Sequence, residues 1–572
     1  KALPHVSGTK FFPTMPEPLN TTPQTNRAVP PHTTQAVTLF ENIRGYTLVG
    51  ENLTQFSAMA IQAGKVLATG DVASLGPQYP QAQRRDGQGK TLLPGMIDVH
   101  CHVFSLGFRD SEVMLANAPD ATDLPSTLAK VKQYAKDHPE RSWIRGWGWN
   151  QATWGLGRNP TAIELDQAEA TRPVALRRID GHTLWANSQA LLLAGIDRNT
   201  PDPEGGHIER DAQGNPTGIL VDHAQDLVFK AMPRYTLDES RQALSNALAQ
   251  IAAFGLTSVG DAIVNAFDAA IYKEFADAGR LTARVYGMIL EVGADFKTLS
   301  ANGPLTSYAD DMLALRTVKL FCDGALGSRG AALLQPYTDA PEHQGLLFMS
   351  DAALQAKMET ALAAGYQVNV HAIGDAANRQ VLNSFEAAYQ HVGGRHLRNR
   401  IEHAQVVAPE DMQRYKALDL IASMQPTHAT SDINIAEDRL GSARMRGAYA
   451  CNSFLKQGTV LAFGSDFPVE SPNPFEGLFS AVMRTDHNHQ PPGGWHPEEA
   501  LTLAQAFRAF TLDAAYAQHQ EHCIGSLEPG KWADFILIDQ DIFNASPKDL
   551  WKVKVLETWV AGKQVYAASS PS

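Results

Sequence analysis

Eight short apolar runs, several of them separated by helical stretches, constrain this chain more than any other feature. They fall at residues 92–99, 256–260, 283–290, 313–321, 367–370, 400–401, 420–424 and 460–463. Runs without polar alternation fit strands buried on both faces, and strands alternating with helical stretches (237–254, 352–364, 376–389) argue a parallel α/β sheet. Eight such units over residues 91–514 predict a (β/α)8, TIM-like barrel. The interval between the first two runs is too long for one helix. An insertion of about residues 105–235, rich in Trp and turn signals, is therefore expected inside the barrel.

The flanks read differently. Short β-type segments at 37–43, 56–61 and 64–69 match others at 533–538, 555–560 and 564–566, with Pro529-Gly530 and Ala561-Gly562 as turn signals. They predict a small β-sandwich built from both chain ends, residues 36–90 and 515–567. Residues 1–35 carry seven prolines among many threonines and read as an extended arm. The chain begins at Lys1, and such a leader suits a periplasmic or secreted protein after signal-peptide removal; a cytoplasmic location is the alternative. Cys101, Cys322, Cys451 and Cys523 form no CxxC pair and leave the redox compartment open.

Composition removes several function classes. With 44% hydrophobic and 19% charged residues the chain can bury a large core. Its net charge of −13, without clustered Lys and Arg, does not make a nucleic-acid footprint. No uncharged apolar run approaches the roughly 18 residues of a membrane helix. The expected partner is a small-molecule substrate, with no nucleic acid and no membrane; self-association as a homodimer is left open.

The residues that end the strands carry the chemistry. The first run leads into His100-Cys101-His102, and residues i and i+2 of a strand face the same side, so both imidazoles can point into the barrel mouth. The fifth run ends at His371, the sixth enters Glu402-His403, and the last leads into Gly464-Ser465-Asp466. Barrel active sites are assembled at strand C-termini, and four His plus one Asp there form an N/O ligand set for a divalent metal. Each residue alone has a simpler reading: His371 or His403 as a core histidine bonded to a carbonyl, Asp466 as an N-cap. Independent accidents at every one of these strand ends are much less plausible.

Lys319 interrupts the run Thr317-Val318-Lys319-Leu320-Phe321, where a buried ammonium is costly. It could pair with Asp323, carry a depressed pKa, or be carbamylated by CO2 into an anionic ligand able to bridge two metals. On the residues alone the salt bridge with Asp323 is favoured.

At this point the motifs are recognisable. Leu93-Pro94-Gly95-Met96-Ile97-Asp98-Val99-His100-Cys101-His102 resembles the opening signature of the metal-dependent amidohydrolase superfamily, and Gly525-Ser526-Leu527-Glu528-Pro529-Gly530-Lys531-Trp532-Ala533-Asp534 resembles its closing signature. Val318-Lys319-Leu320-Phe321-Cys322-Asp323-Gly324, Asn369-Val370-His371-Ala372-Ile373-Gly374-Asp375, Gly181-His182 and Gly464-Ser465-Asp466-Phe467-Pro468 resemble the amidohydrolase-3 subgroup, which includes N-substituted formamide deformylases. The resemblance spans about residues 37–567. It implies that His100, His102 and Asp466 hold one metal, that His371 and His403 hold a second, and that carboxylated Lys319 bridges them. One or two divalent ions are thus implied; Zn suits the donors best, and Mn, Fe or Co are compatible.

The resemblance implies a metal-dependent hydrolase acting on a non-peptide C–N bond, such as an N-acyl or N-formyl amine or amide. Metal-activated hydroxide attacks the carbonyl, and Asp466 serves as general base and then acid. A mononuclear deaminase or cyclic-amide hydrolase is the alternative within enzymes; a catalytically silent binding or regulatory barrel is the alternative outside them. Ser465 lacks a G-x-S-x-G elbow and is not a nucleophile candidate. The insertion is expected to shape the pocket with His182 and Trp147, although any single Trp is more often packing. His428 is expected to bind substrate or orient a ligand, and Asp323 is a further substrate-binding candidate. Arg329 could bind a substrate carboxylate or pair with an acidic neighbour.

Overall fold

A computed structural model describes residues 36–116 and 118–569 of the chain; the expected arm at 1–35 lies outside them. The barrel strands are β1 Met96–Cys101, β2 Leu256–Val264, β3 Arg284–Leu290, β4 Leu313–Phe321, β5 Gln367–Ala372, β6 Arg400–His403, β7 Ile421–Met424 and β8 Leu461–Phe463. They pair in parallel in this order. One antiparallel strand, Leu305–Tyr308, is added beside β4. The ring is closed just beyond β8, where the Asp466 amide donates to the His100 carbonyl at 2.8 Å and the His102 amide to the Phe467 carbonyl at 2.8 Å. Two site residues are thereby held by the backbone bonds that shut the barrel.

Helices pack outside the strands where the sequence favours them. Leu237–Ala253 opens with a Thr236/Glu239 capping box, and Asp351–Ala363 is capped by the Ser350 side chain. Asp375–Val392 stops at Gly393, whose φ of 75° a side chain would resist. Among the described residues no helix is long and apolar enough to cross a bilayer.

Two further sheets come from the chain ends, the first from N-terminal residues alone and the second from both ends. One holds Lys65–Gly70, Ala58–Gln62, Thr38–Glu41 and Gln83–Asp86; the other holds Lys563–Ala567, Val555–Val560, Phe535–Ile538, Thr91–Pro94, Arg44–Val49 and Asn52–Phe56. They share one core in which Phe40 meets Phe535 and Trp559 edge-on at 5.1 and 5.3 Å. The expected single strand at 92–99 is in fact two. Thr91–Pro94 belongs to this sandwich and Met96–Cys101 to the barrel. Gly95 is the joint, because a Cβ there would lie 2.0 Å from Thr257 Oγ1. The expected strand at 56–61 is likewise divided at Ser57, its halves going to different sheets.

The insertion forms a six-stranded mixed sheet: Gly206–Arg210, Pro216–Asp222, Thr183–Ala186, Val174–Arg178, Ile144–Trp149 and Val113–Met114. Within it Asp226 is only 5% exposed, and its Oδ1 has no hydrogen-bond partner among the described residues. Burial pushes its carboxyl up to about 7, against the opposing charge of Lys230. A carboxyl with a raised folded pKa stabilises the fold while protonated; that contribution is present below about pH 4 and lost as pH rises through about 7. Asp226→Asn is therefore expected to stabilise the protein on the order of 2–4 kcal/mol at pH 8 and hardly at all at pH 4. Calorimetric unfolding at the two pH values checks this, and equal shifts at both would sink it.

Candidate metal centre

The inward residues of β1 start the site. Asp98 accepts the Ser465 hydroxyl at 2.6 Å and the His100 and Ser465 amides at 3.1 Å each, locking β1 to the end of β8. Ser465 is thus a brace with its hydroxyl occupied. His100 and His102 then stand on one side, with Nε2 atoms 3.4 and 3.0 Å from Asp466 Oδ1. Asp466 adopts a φ of 61° and His403 a φ of 74°, left-handed conformations that cost a non-glycine residue roughly 1–3 kcal/mol and gather at functional sites.

Across the mouth, imidazoles from different strands form a chain. The His100 ring lies 4.8 Å from His403, His403 lies 4.6 Å from His371, and His371 lies 5.5 Å from His182 of the insertion. His428 stacks on His403 at 5.7 Å, and its Nε2 is 3.7 Å from Asp466 Oδ2 and 4.0 Å from Glu470 Oε1. Lys319 is completely buried, with Nζ 3.5 Å from His100 Nε2.

The arrangement suits a cation. Burial holds His102 below its ordinary pKa, and holds His371 and His403 well below it. Neighbouring rings add to this, His182 acting on His371 and His371 on His403, so neutral nitrogens are available as ligands. Burial works to raise Asp466, but His100 and His102 win and hold its carboxylate ionised. Asp466 Oδ1 and His428 Nε2 are buried without a hydrogen-bond partner among the described residues. Ligand atoms of His100, His102 and Asp466 lie within 4.8 Å of one another, as do those of His403, His428 and Asp466. A buried carboxylate oxygen without a hydrogen-bond partner, set among imidazole nitrogens, is what a divalent ion satisfies.

Two supporting residues were not singled out from the sequence. Glu402 is fully buried and accepts from His100 Nδ1 at 2.5 Å, Arg400 Nε at 2.6 Å and the Ser423 hydroxyl at 2.6 Å. Burial opposes its ionisation, yet Arg400 and His100 hold its carboxyl well below the usual range. It fixes the His100 tautomer, leaving Nε2 for a ligand role. Gln425 Oε1 does the same for His403 through Nδ1 at 2.7 Å. Glu402 had a legible signal, a charge inside a strand buried on both faces, which is the argument that drew attention to Lys319.

The salt bridge favoured for Lys319 from the residues alone is absent. Asp323 instead accepts backbone amides of Ala332, Ile373 and Gly374 at 2.9, 3.0 and 2.8 Å, and one of its oxygens lies 3.4 Å from His371 Nε2. Two chain segments, at Ala332 and at 371–374, converge on that carboxylate because it lies just past the end of β4, beside the loop after β5. Burial lowers the Lys319 amine to about 8 against the pull of Glu402 and Asp466. Of the two readings of Arg329, the structure shows the acidic partner: Asp339, at 2.9 Å. Trp147 is buried, its ring bordering Gly181 beside His182 and lying 5.1 Å from the Arg177 guanidinium. Trp149, Trp154 and Trp185 pack on each other.

Known proteins are similar to this chain over most of its length. The chain is 36% identical to the protein LONG AFTER FAR-RED 3 of Arabidopsis thaliana over 89% of its own length and 88% of the relative's. It is 32% identical to the putative amidohydrolase YtcJ of Bacillus subtilis over 92% and 98%, and 29% identical to the N-substituted formamide deformylase of Arthrobacter pascens over 88% and 94%. The solved structure of an uncharacterized metal-dependent hydrolase from Pyrococcus horikoshii superposes with a TM-score of 0.72 at 27% identity, covering 90% of this chain and 99% of that one. Residues 83–566 match the model of the Amidohydrolase family, and the chain belongs to that family.

Proposed function

We propose that the protein is a metal-dependent hydrolase of a C–N bond outside the peptide backbone, in an N-acyl or N-formyl amine. The observation that carries this reading is Asp466: an ionised, buried carboxylate whose Oδ1, 3.4 and 3.0 Å from His100 and His102 Nε2, has no hydrogen-bond partner among the described residues, at the closure point of the barrel. The formamide deformylase relative gives the bond class its support.

His100, His102 and Asp466 would hold one divalent ion, and His371 and His403 a second. A divalent ion held there would supply a water acidified toward neutrality and would polarise a carbonyl. Asp466 takes the proton of the attacking water and returns it to the leaving nitrogen as the C–N bond breaks, so one carboxylate serves as base and then acid. His428, beside Asp466 and Glu470, and His182, opposite, contact the substrate on either side.

Lys319 is read as the bridge. An amine lowered to about 8 keeps a nucleophilic neutral fraction at physiological pH; its lone pair would form an N–C bond to CO2 as one C=O π bond opens, an N–H proton passing to solvent, so that an anionic carbamate would replace a costly buried cation among the imidazoles. About two metals per chain are expected, falling in both Lys319→Ala and His371→Ala, with a carbamate carbon signal from 13C-bicarbonate that Lys319→Ala lacks. One metal kept in both variants removes the bridge. That outcome favours a mononuclear deaminase or cyclic-amide hydrolase, which the compact His100–His102–Asp466 set would serve by itself.

A further inference from the structure

The insertion enters the site through His182, and the direction of that side chain is set by a residue outside the ligand set. Asp222 ends the strand Pro216–Asp222 with a φ of 49°, strained for a non-glycine. Two hydrogen bonds tie it to His182. The Asp222 amide donates to the His182 carbonyl at 2.8 Å, and His182 Nδ1–H donates to Asp222 Oδ1 at 2.7 Å. The Asp222 side chain is 4% exposed, and what covers it belongs to the barrel. After β4 the chain folds back so that the Gly324 amide bonds the Gly330 carbonyl at 3.2 Å. A Cβ on Gly324 would lie 3.0 Å from both oxygens of Asp222, and one on Gly330 would lie 2.9 Å from Oδ2. The two glycines therefore form a socket that admits this carboxylate and leaves no room for a side chain of their own.

With Nδ1 engaged, Nε2 is the one remaining polar atom of the His182 ring. The side chain keeps 15% exposure, and the ring lies 5.5 Å from His371. We propose that Asp222, seated in the Gly324–Gly330 socket, is a positioning residue that aims His182 Nε2 at the amide being cleaved, so that the insertion completes the barrel's active site. The substrate half of this rests on the hydrolase reading above; the dyad and its socket do not. A displacement of about 1 Å in such a group costs on the order of 10²-fold in rate.

The test uses the metal-loaded protein and any N-formyl or N-acyl amine it turns over, with Asp222→Asn, Gly330→Ala, His182→Ala and the double variant Asp222→Asn/His182→Ala. Expected is a kcat lowered on the order of 10²-fold in Asp222→Asn and by less in Gly330→Ala, with KM and metal content within about twofold of wild type. The double variant should lose no more than His182→Ala, because Asp222 acts through His182. Additive losses, or a loss of metal in Asp222→Asn, overturn the proposal. Should the wild type turn over no such amine, the hydrolase reading fails, and proton NMR decides the dyad by itself. A strongly downfield imidazole N–H is expected in wild type, absent in Asp222→Asn and shifted in Gly330→Ala. Its absence from the wild type refutes the pairing.

Discussion

Asp466→Asn is expected to lower turnover by about 10³–10⁴-fold while the barrel stays folded. The side chain keeps its size, so the backbone bond from Asp466 to His100 that closes the barrel survives. What disappears is the negative charge 3.0 Å from His102 and 3.4 Å from His100, and with it the group able to take and return a proton. Metal content should fall as well, since an amide oxygen is a weaker ligand than a carboxylate. The measurement pairs kcat/KM with metal analysis on the same sample. Turnover within about tenfold of wild type would exclude Asp466 from proton transfer.

The second large effect is on stability and lies near the opposite end of the strands. Arg284, at the start of β3, is completely buried and meets Asp534 of the sandwich in a two-pronged pair of 2.6 and 3.0 Å. Asp534 also accepts the Ala561 amide at 2.8 Å, while Arg284 Nη1 donates to the Asp310 carbonyl at 2.8 Å. Burial disfavours the guanidinium charge, but Asp534 outweighs it and holds Arg284 protonated. Arg284→Met leaves a buried, unpaired carboxylate and is expected to cost about 3–5 kcal/mol, read as a lowered unfolding midpoint at unchanged metal content. Replacing both partners, Arg284→Met with Asp534→Leu, should recover most of that loss, because the unpaired charge and not the missing pair is the main cost. A single variant within about 1 kcal/mol of wild type would contradict this account.

Much of this architecture is legible in the sequence. Strand periodicity places His100 and His102 on one face, and the barrel rule places His371, His403 and Asp466 beside them, because every strand of a parallel barrel delivers its C-terminus to the same rim. Where the expectation failed, the cause was non-local. The run at 92–99 holds the turn signal Pro94-Gly95, yet that it serves two sheets is decided by its partners, Phe535–Ile538 for the first half and Leu256–Val264 for the second. The charge of Lys319 has an acidic residue four positions on, yet that carboxylate is drawn away by three backbone amides from other segments. Asp339 lies ten residues from Arg329 and could be recognised as its partner only once the loop was folded.

The amino-acid sequence by itself determined which residue types stand at the ends of the barrel strands, since alternation along a strand and the shared direction of parallel strands are local properties that propagate to a common rim. Tertiary structure alone decided who partners whom there: that Glu402 holds His100, that Asp323 serves the backbone and not Lys319, and that Asp222 of the insertion seats between two barrel glycines. Those choices depend on distances between segments far apart in the chain, set by the closing of the ring and the packing of the insertion upon it, and no local pattern encodes them.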